Sequence, residues 1–323
     1  LPYGVSYNSY LIDDEMVALV DTVDICYFEV YLRKIKQVIG ERPINYLIIN
    51  HMEPDHSGSI RLIKQHYPEI IIVGNKQTFG MIEGFYGVTG EQYLVKEGDF
   101  LALGHHKLRF YMTPMVHWPE TMMTFDETDG VLFSGDGFGC FGTVDGGFLD
   151  TRINVDKYWG EMVRYYSNIV GKYGSPVQKA LQKLGGLPIS AICSTHGPVW
   201  TENIAKVIGI YDRLSRYDAD EGVVIAYGSM YGNTEQMAEA IAEELSAQGV
   251  KNIVMHNVTK SHPSYIIADI FRYKGLIIGS PTYSNQIFPE VEALLSKILL
   301  REVKGRYLGY FGSFTWAGAA VKR

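Results

Sequence analysis

Hydrophobic positions over the first two thirds of the chain fall in short runs. Residues 46–50, 70–73, 107–112, 131–134 and 189–193 are rich in apolar and β-branched side chains and are bounded by turn formers. Runs of that length and composition predict buried strands. Spaced apolar positions over residues 57–66, 157–170, 177–184 and 203–215 predict helices. Strands and helices mixed in this way imply layered α and β rather than a pure barrel. The pattern changes at Arg216, Tyr217, Asp218, Asp220 and Glu221, a polar stretch that precedes a new apolar run at 223–227. From there strands at 223–227, 253–258, 275–279 and 307–311 alternate with helices at 236–245 and 289–299. That alternation predicts a doubly wound parallel sheet. The expected organisation is one domain over residues 1–218 and a second over 219–323, with no internal repeat and no low-complexity tract.

Composition narrows the class. The chain has 323 residues, 46% hydrophobic and 20% charged, with a formal net charge of −7 and no block of Lys and Arg. Neither nucleic acid nor an anionic membrane is expected as the main partner. No run approaches the roughly 20 apolar residues of a membrane span. Cys26, Cys140 and Cys193 are far apart, so no cysteine-ligated metal knot is expected within the chain. Three widely spaced cysteines with no C-x-x-C, and no charged-then-apolar leader at Leu1-Pro2-Tyr3, lead to an expectation of the reducing cytoplasm.

The sharpest chemical signal is His51-Met52-Glu53-Pro54-Asp55-His56, directly after the strand at 46–50 and before a helix that Ser57 could cap. Carboxylates held this close repel one another. A pair of divalent cations removes the repulsion and uses every group as a ligand. His117, Asp136 and His196 each follow the C-terminal end of a strand, where loops converge to build sites. A lone histidine is more often structural, and His66, His105, His106, His256 and His262 are read so. Asp136 alone, inside Gly135-Asp136-Gly137, would be read as a turn; its weight comes from the cluster.

Three loops in the second half point to a flat, phosphorylated ligand. Ser229-Met230-Tyr231-Gly232-Asn233-Thr234 joins a strand to a helix and offers two hydroxyls with backbone N–H groups at a helix N-terminus. It matches neither the dinucleotide nor the triphosphate glycine motif. Pro281-Thr282-Tyr283-Ser284-Asn285 and Ser313-Phe314-Thr315-Trp316-Ala317-Gly318 follow later strands and bring aromatic rings suited to an isoalloxazine. Tyr283 and Trp316 could otherwise be ordinary packing residues.

The pattern H-x-E-x-D-H followed by His117, Asp136 and His196 resembles the flavodiiron proteins, and residues 219–323 resemble flavodoxin. Phrases such as Tyr7-Asn8-Ser9-Tyr10-Leu11-Ile12 and His117-Trp118-Pro119 extend the likeness over essentially the whole chain. Hydrolytic metallo-β-lactamase relatives carry a second His where this chain has Glu53; more carboxylate suits iron over zinc. The resemblance implies an α/β protein: a metallo-β-lactamase-like αββα sandwich followed by a flavodoxin-like doubly wound parallel sheet. It implies two non-haem irons per chain, with His51, Glu53 and His117 on one, Asp55, His56 and His196 on the other, and Asp136 bridging. In some members the counterpart of His56 turns away and water replaces it. It implies FMN on the three loops, and reduction of O2 to water, NO to N2O, or both. Electrons would come from rubredoxin, or coenzyme F420 as in methanogen relatives. A head-to-tail homodimer or homotetramer would bring one chain's flavin beside its neighbour's irons. Against the family pattern, a first strand before Leu1 and a closing strand and helix after Arg323 are missing, so a fragment with an unpaired sheet edge is expected. The competing reading is a dizinc hydrolase carrying a flavodoxin-like domain. A third is an electron-transfer flavoprotein whose first domain is scaffold.

Overall fold

The computed structural model describes residues 2–322. The chain divides into two compact units. One comprises Leu1–Met162 with Ser175–Asp212, the other Val163–Gly174 with Arg213–Arg323. Residues 163–174 thus pack with the second unit although they lie well inside the first in sequence.

Two five-stranded sheets form the first unit. The first holds Tyr10–Ile12 (β1), Ala18–Val20 (β2), Tyr46–Ile48 (β3), Ile71–Gly74 (β4) and Gln92–Leu94 (β5), in that order across the sheet. The second holds Phe100–Ala102 (β6), Lys107–Met112 (β7), Met122–Asp126 (β8), Val131–Gly135 (β9) and Ala191–Ser194 (β10), running β10-β9-β8-β7-β6. Their facing side chains, among them Val20, Ile48 and Val73 from one sheet and Leu108, Phe110 and Phe133 from the other, make one buried cluster. On the opposite face of the first sheet, Leu19 and Leu47 pack with helix Phe28–Ile39, whose Phe28, Tyr31, Leu32, Ile35 and Ile39 recur at helical spacing. That helix stops at Gly40, which takes φ +62°.

Asn50 ties the two sheets together at the end of β3. Its Nδ2 donates to the Phe133 carbonyl at 3.3 Å, its Oδ1 accepts from Thr124 Oγ1 at 2.8 Å, and its carbonyl accepts from Met122 N. The side chain is fully buried, so each of these groups needs its partner. The residues that follow are held at the open end of the sandwich.

The second unit is a parallel sheet of Asp220–Tyr227 (β11), Ile253–Asn257 (β12), Tyr273–Tyr283 (β13) and Tyr307–Ser313 (β15), with the short Gln286–Ile287 (β14) antiparallel to the end of β13. Alternation along β11 sends Val224 and Ala226 to one face, against helices Pro263–Arg272 and Pro289–Leu300, and Ile225 and Tyr227 to the other, against helix Asn233–Ala247. Among the described residues β15 pairs only with β13, and Tyr307, Leu308 and Tyr310 on it are exposed.

Several expectations change in detail. Ser57 does not cap a helix at 57–66. Pro54 sits at the first position of a short turn, Pro54–Ser57, and a separate helix covers Ile60–His66. Proline's fixed φ starts that turn early, and Ser57 Oγ instead donates to the Met52 carbonyl at 2.7 Å. The helix expected over 157–170 is α-helical only over Asp156–Tyr165 and continues as a π-turn, Tyr166–Val170. Residues 280–283 are not loop but the last part of β13, which ends in a tight turn at Ser284 and Asn285, both with positive φ.

Candidate metal centre and flavin loops

The strand ends bring all seven expected metal ligands of the first unit together. His51 follows β3, and its Nε2 lies 3.3 Å from Glu53 Oε2 and 3.7 Å from Asp136 Oδ2. His117 Nε2 sits 3.0 Å from both Glu53 Oε2 and Asp136 Oδ2. These four form one donor group. Asp55, His56 and His196 form the other. There the Nε2 atoms of His56 and His196 are each 3.4 Å from Asp55 Oδ2, and 2.9 and 3.5 Å from Asp136 Oδ1. Asp136 therefore turns one oxygen to each group.

Backbone structure explains the convergence. The β9–β10 register shifts between Cys193 and Ser194, and Thr195 N donates to the Gly135 carbonyl at 3.0 Å. That break sets His196 beside Asp136. Gly197 adopts φ +84°, and a Cβ there would lie 2.3 Å from Cys140 Sγ, so only glycine fits after His196. Asp150, nearly buried, accepts from the backbone N–H groups of Thr201, Glu202 and Asn203 and so anchors the chain just beyond.

A further set of partners was not legible from the sequence. Glu120, fully buried, accepts from His51 Nδ1 and from Met52 N, both at 2.9 Å. Asp21 accepts from Asn50 N at 2.8 Å and His51 N at 3.2 Å. His196 Nδ1 donates to the Ser6 carbonyl at 2.7 Å, and Thr195 Oγ1 to Asp136 Oδ1 at 2.6 Å. Trp118 packs edge-on against His51, with ring centroids 5.3 Å apart. Tyr166 packs against Phe271 within the second unit. His106 and His256 are paired with Asp126 and Asp269, and His262 accepts from Ser264 N.

Electrostatics fit a cationic guest. Burial opposes charge on His51, but Asp136, Glu120 and Glu53 outweigh it and push its pKa up to about 10. Burial also opposes ionisation of Glu53, yet His117 and His51 hold it down at about 2. Asp136, buried among four imidazoles, is held well below the usual carboxylate range, while the pKa values of His117 and His196 are raised. Neither nitrogen of His56 and not Asp55 Oδ1 makes a hydrogen bond, although all three are buried. Buried polar atoms without partners are costly, and metal coordination would satisfy the one that faces the donor group, His56 Nε2.

The three loops of the second unit also meet. They leave the C-terminal ends of β11, β13 and β15. Pro281 is in register with Ser313, and Ser313 Oγ lies 2.8 Å from Thr234 Oγ1. Gly232, with φ +85°, precedes helix Asn233–Ala247, whose first N–H groups have no side-chain cap. Such uncapped groups favour a phosphate. Met230, Tyr231, Tyr283, Phe314 and Trp316 are exposed around them, Tyr231 and Trp316 by 87% and 85%. Asn233 and Thr234 open the helix, and Thr315, Ala317 and Gly318 complete the loop after β15.

Comparison with known proteins bears on both units. The ODP family beta lactamase profile matches residues 5–197, and the flavodoxin profile matches residues 225–323. The anaerobic nitric oxide reductase flavorubredoxin of Vibrio vulnificus is 33% identical over 325 residues, covering 99% of this chain and 66% of that protein. The chain spans about two thirds of the length of such curated relatives. Among solved structures, the rubredoxin oxygen:oxidoreductase of the anaerobe Desulfovibrio gigas superposes with a TM-score of 0.95 at 31% identity, covering 99% of this chain and 81% of that one. The flavodiiron protein of Giardia intestinalis gives 0.95 at 29% identity, with 99% and 79% covered.

Proposed function

Because the chain belongs to the flavodiiron family, we propose that it is an oxidoreductase reducing O2 to water, NO to N2O, or both, at a diiron centre fed through FMN. The observation that carries this reading is Asp136, whose two oxygens face two separate donor groups. On this reading His51, Glu53 and His117 hold one iron, Asp55, His56 and His196 hold the other, and Asp136 bridges. Glu53 adds a hard oxygen donor, which favours iron over zinc.

When bound, the irons and the flavin would supply the electrons for the reduction. The protein's own residues bind, orient and shield. Asn50 and the β9–β10 irregularity fix where the ligands stand. Thr195 and Glu120 fix which way Asp136 and His51 face. Trp118 and the buried strand ends keep bulk water from the imidazoles of His51 and His56, which have no exposed surface. Ser229, Asn233, Thr234 and Ser313 would take the FMN phosphate, and Tyr231, Tyr283 and Trp316 would lie against the ring.

The donor we propose is a rubredoxin-type carrier, since the names of both the Vibrio and the Desulfovibrio proteins include rubredoxin. A head-to-tail homodimer would give each centre a neighbouring flavin. The test is anaerobic purification followed by metal and flavin analysis. Iron with FMN is the expected content; zinc without flavin would overturn the reading in favour of a hydrolase.

A further inference from the structure

The two halves of the metal centre are supported differently. On one side, His51 is pinned twice by buried carboxylates. Asp21 holds its backbone N–H, and Glu120 holds its ring through Nδ1 at 2.9 Å. Glu120 also accepts from Met52 N, while its Oε2 is buried with no hydrogen-bond partner. Among the described residues, the His51 ring is thus the only side chain that hydrogen-bonds this buried carboxylate, beside the Met52 backbone N–H. On the other side, His196 rests on a neutral acceptor, the Ser6 carbonyl, and His56 Nδ1 has no acceptor at all.

A carboxylate on the far nitrogen fixes the tautomer of a metal-binding imidazole, fixes its plane and raises its donor strength. We propose that Glu120 is the positioning residue that makes the His51–Glu53–His117 half the tighter of the two metal sites, so that the centre loads and loses its metals in sequence. The inference rests on the reading of His51 as an iron ligand. Glu120 lies outside the donor group; by holding the proton on Nδ1 it would leave Nε2, aimed at Glu53 and Asp136, as the nitrogen that yields its proton to a metal.

The test follows iron release from the anaerobic, FMN-loaded protein against increasing chelator, with Mössbauer spectra of the retained iron. Wild type should release iron in two steps. Glu120→Ala should weaken the later step by on the order of 10–100-fold and alter the spectrum of one iron while leaving the other as it was. Glu120→Gln keeps the shape and a neutral acceptor, so it should fall between the two and make the halves more alike. If Glu120→Ala does not fold, the isosteric Gln variant decides. Release at the wild-type chelator concentration in Glu120→Gln, or equal loosening of both irons, would overturn the role of Glu120. His51→Ala run in parallel separates the two ideas. Loss of one iron there with Glu120→Gln unchanged leaves the ligand reading standing and removes only this inference. Two irons retained in His51→Ala would remove both.

Discussion

Asp136 Oδ1 stands 2.9 Å from His56 Nε2, and no hydrogen bond joins the two. Both groups are buried, and a cation between them would use both as ligands. The other oxygen of Asp136 lies 3.0 Å from His117 Nε2, here within a hydrogen bond. Asp136→Asn replaces one carboxylate oxygen with an NH2 group that cannot coordinate, so the side chain could no longer serve both donor groups. Iron content should fall, and gas consumption should drop by more than the roughly 10–100-fold typical of an outer partner. Reduction of the flavin by an artificial donor should be unchanged. Unchanged gas consumption would instead favour the scaffold view of the first domain.

Gly197 controls the placement of His196. At φ +84° an alanine is strained, and its Cβ would meet Cys140 Sγ at 2.3 Å. Cys140 is fully buried and has no room to retreat. Gly197→Ala should destabilise folding by about 2–4 kcal/mol and lower iron content, as read by denaturant titration and metal analysis. Adding Cys140→Ala should recover part of the loss and leave about 1 kcal/mol of backbone strain. A double variant no better than the single would show that the contact is not the cause.

The pH dependence has opposite signs with and without metal. The folded apoprotein raises His51 from 6.5 to about 10, because Asp136 and its neighbours outweigh the cost of burial. A group whose pKa rises on folding contributes stability that is complete below its unfolded value and is lost as pH rises through the folded one. The melting temperature of the apoprotein should therefore carry a term that falls from about pH 6.5 towards about pH 10. Metal needs the neutral imidazole, so binding expels a proton throughout that window and tightens as pH rises. The gain in melting temperature on adding ferrous ion anaerobically should grow between about pH 6.5 and about pH 9. A gain that shrinks would contradict the assignment of His51. At the acid end, Glu53 is held at about 2, so its contribution is present above about 4.5 and lost as pH falls through 2.

Trp316 separates flavin binding from folding. Its side chain is 85% exposed, so Trp316→Ala should change apoprotein stability by no more than about 0.5 kcal/mol. Stacked on a flavin, the same ring should be worth about 1 kcal/mol or more, a several-fold to tenfold rise in the FMN dissociation constant measured by fluorescence quenching. An unchanged constant would remove Trp316 from the flavin site.

Much of this was legible in the sequence because the informative residues are close together or sit at recognisable strand ends. His51 to His56 are contiguous, and His117, Asp136 and His196 each follow an apolar run that the structure forms as β7, β9 or β10. Glu120 and Asp21 were not legible. Each is a single acid whose role depends on a hydrogen bond to a residue far along the chain, 69 positions for Glu120 and His51. Strands β1, β2, β5 and β6 have three residues each, too few for a period of two to show. Strand β8 was hidden for another reason: Met122–Asp126 is buried at every position, so it does not alternate. Helix Phe28–Ile39 does carry its period, but four aromatic or β-branched residues in its first eight weaken the local helical preference.

The decisive experiment is to reduce the iron- and FMN-loaded protein completely without air, then add O2 and NO in separate runs and follow each gas. Rapid loss of at least one is the expected result, O2 without release of peroxide or NO with formation of N2O. Consumption of neither by protein that holds both cofactors would contradict it.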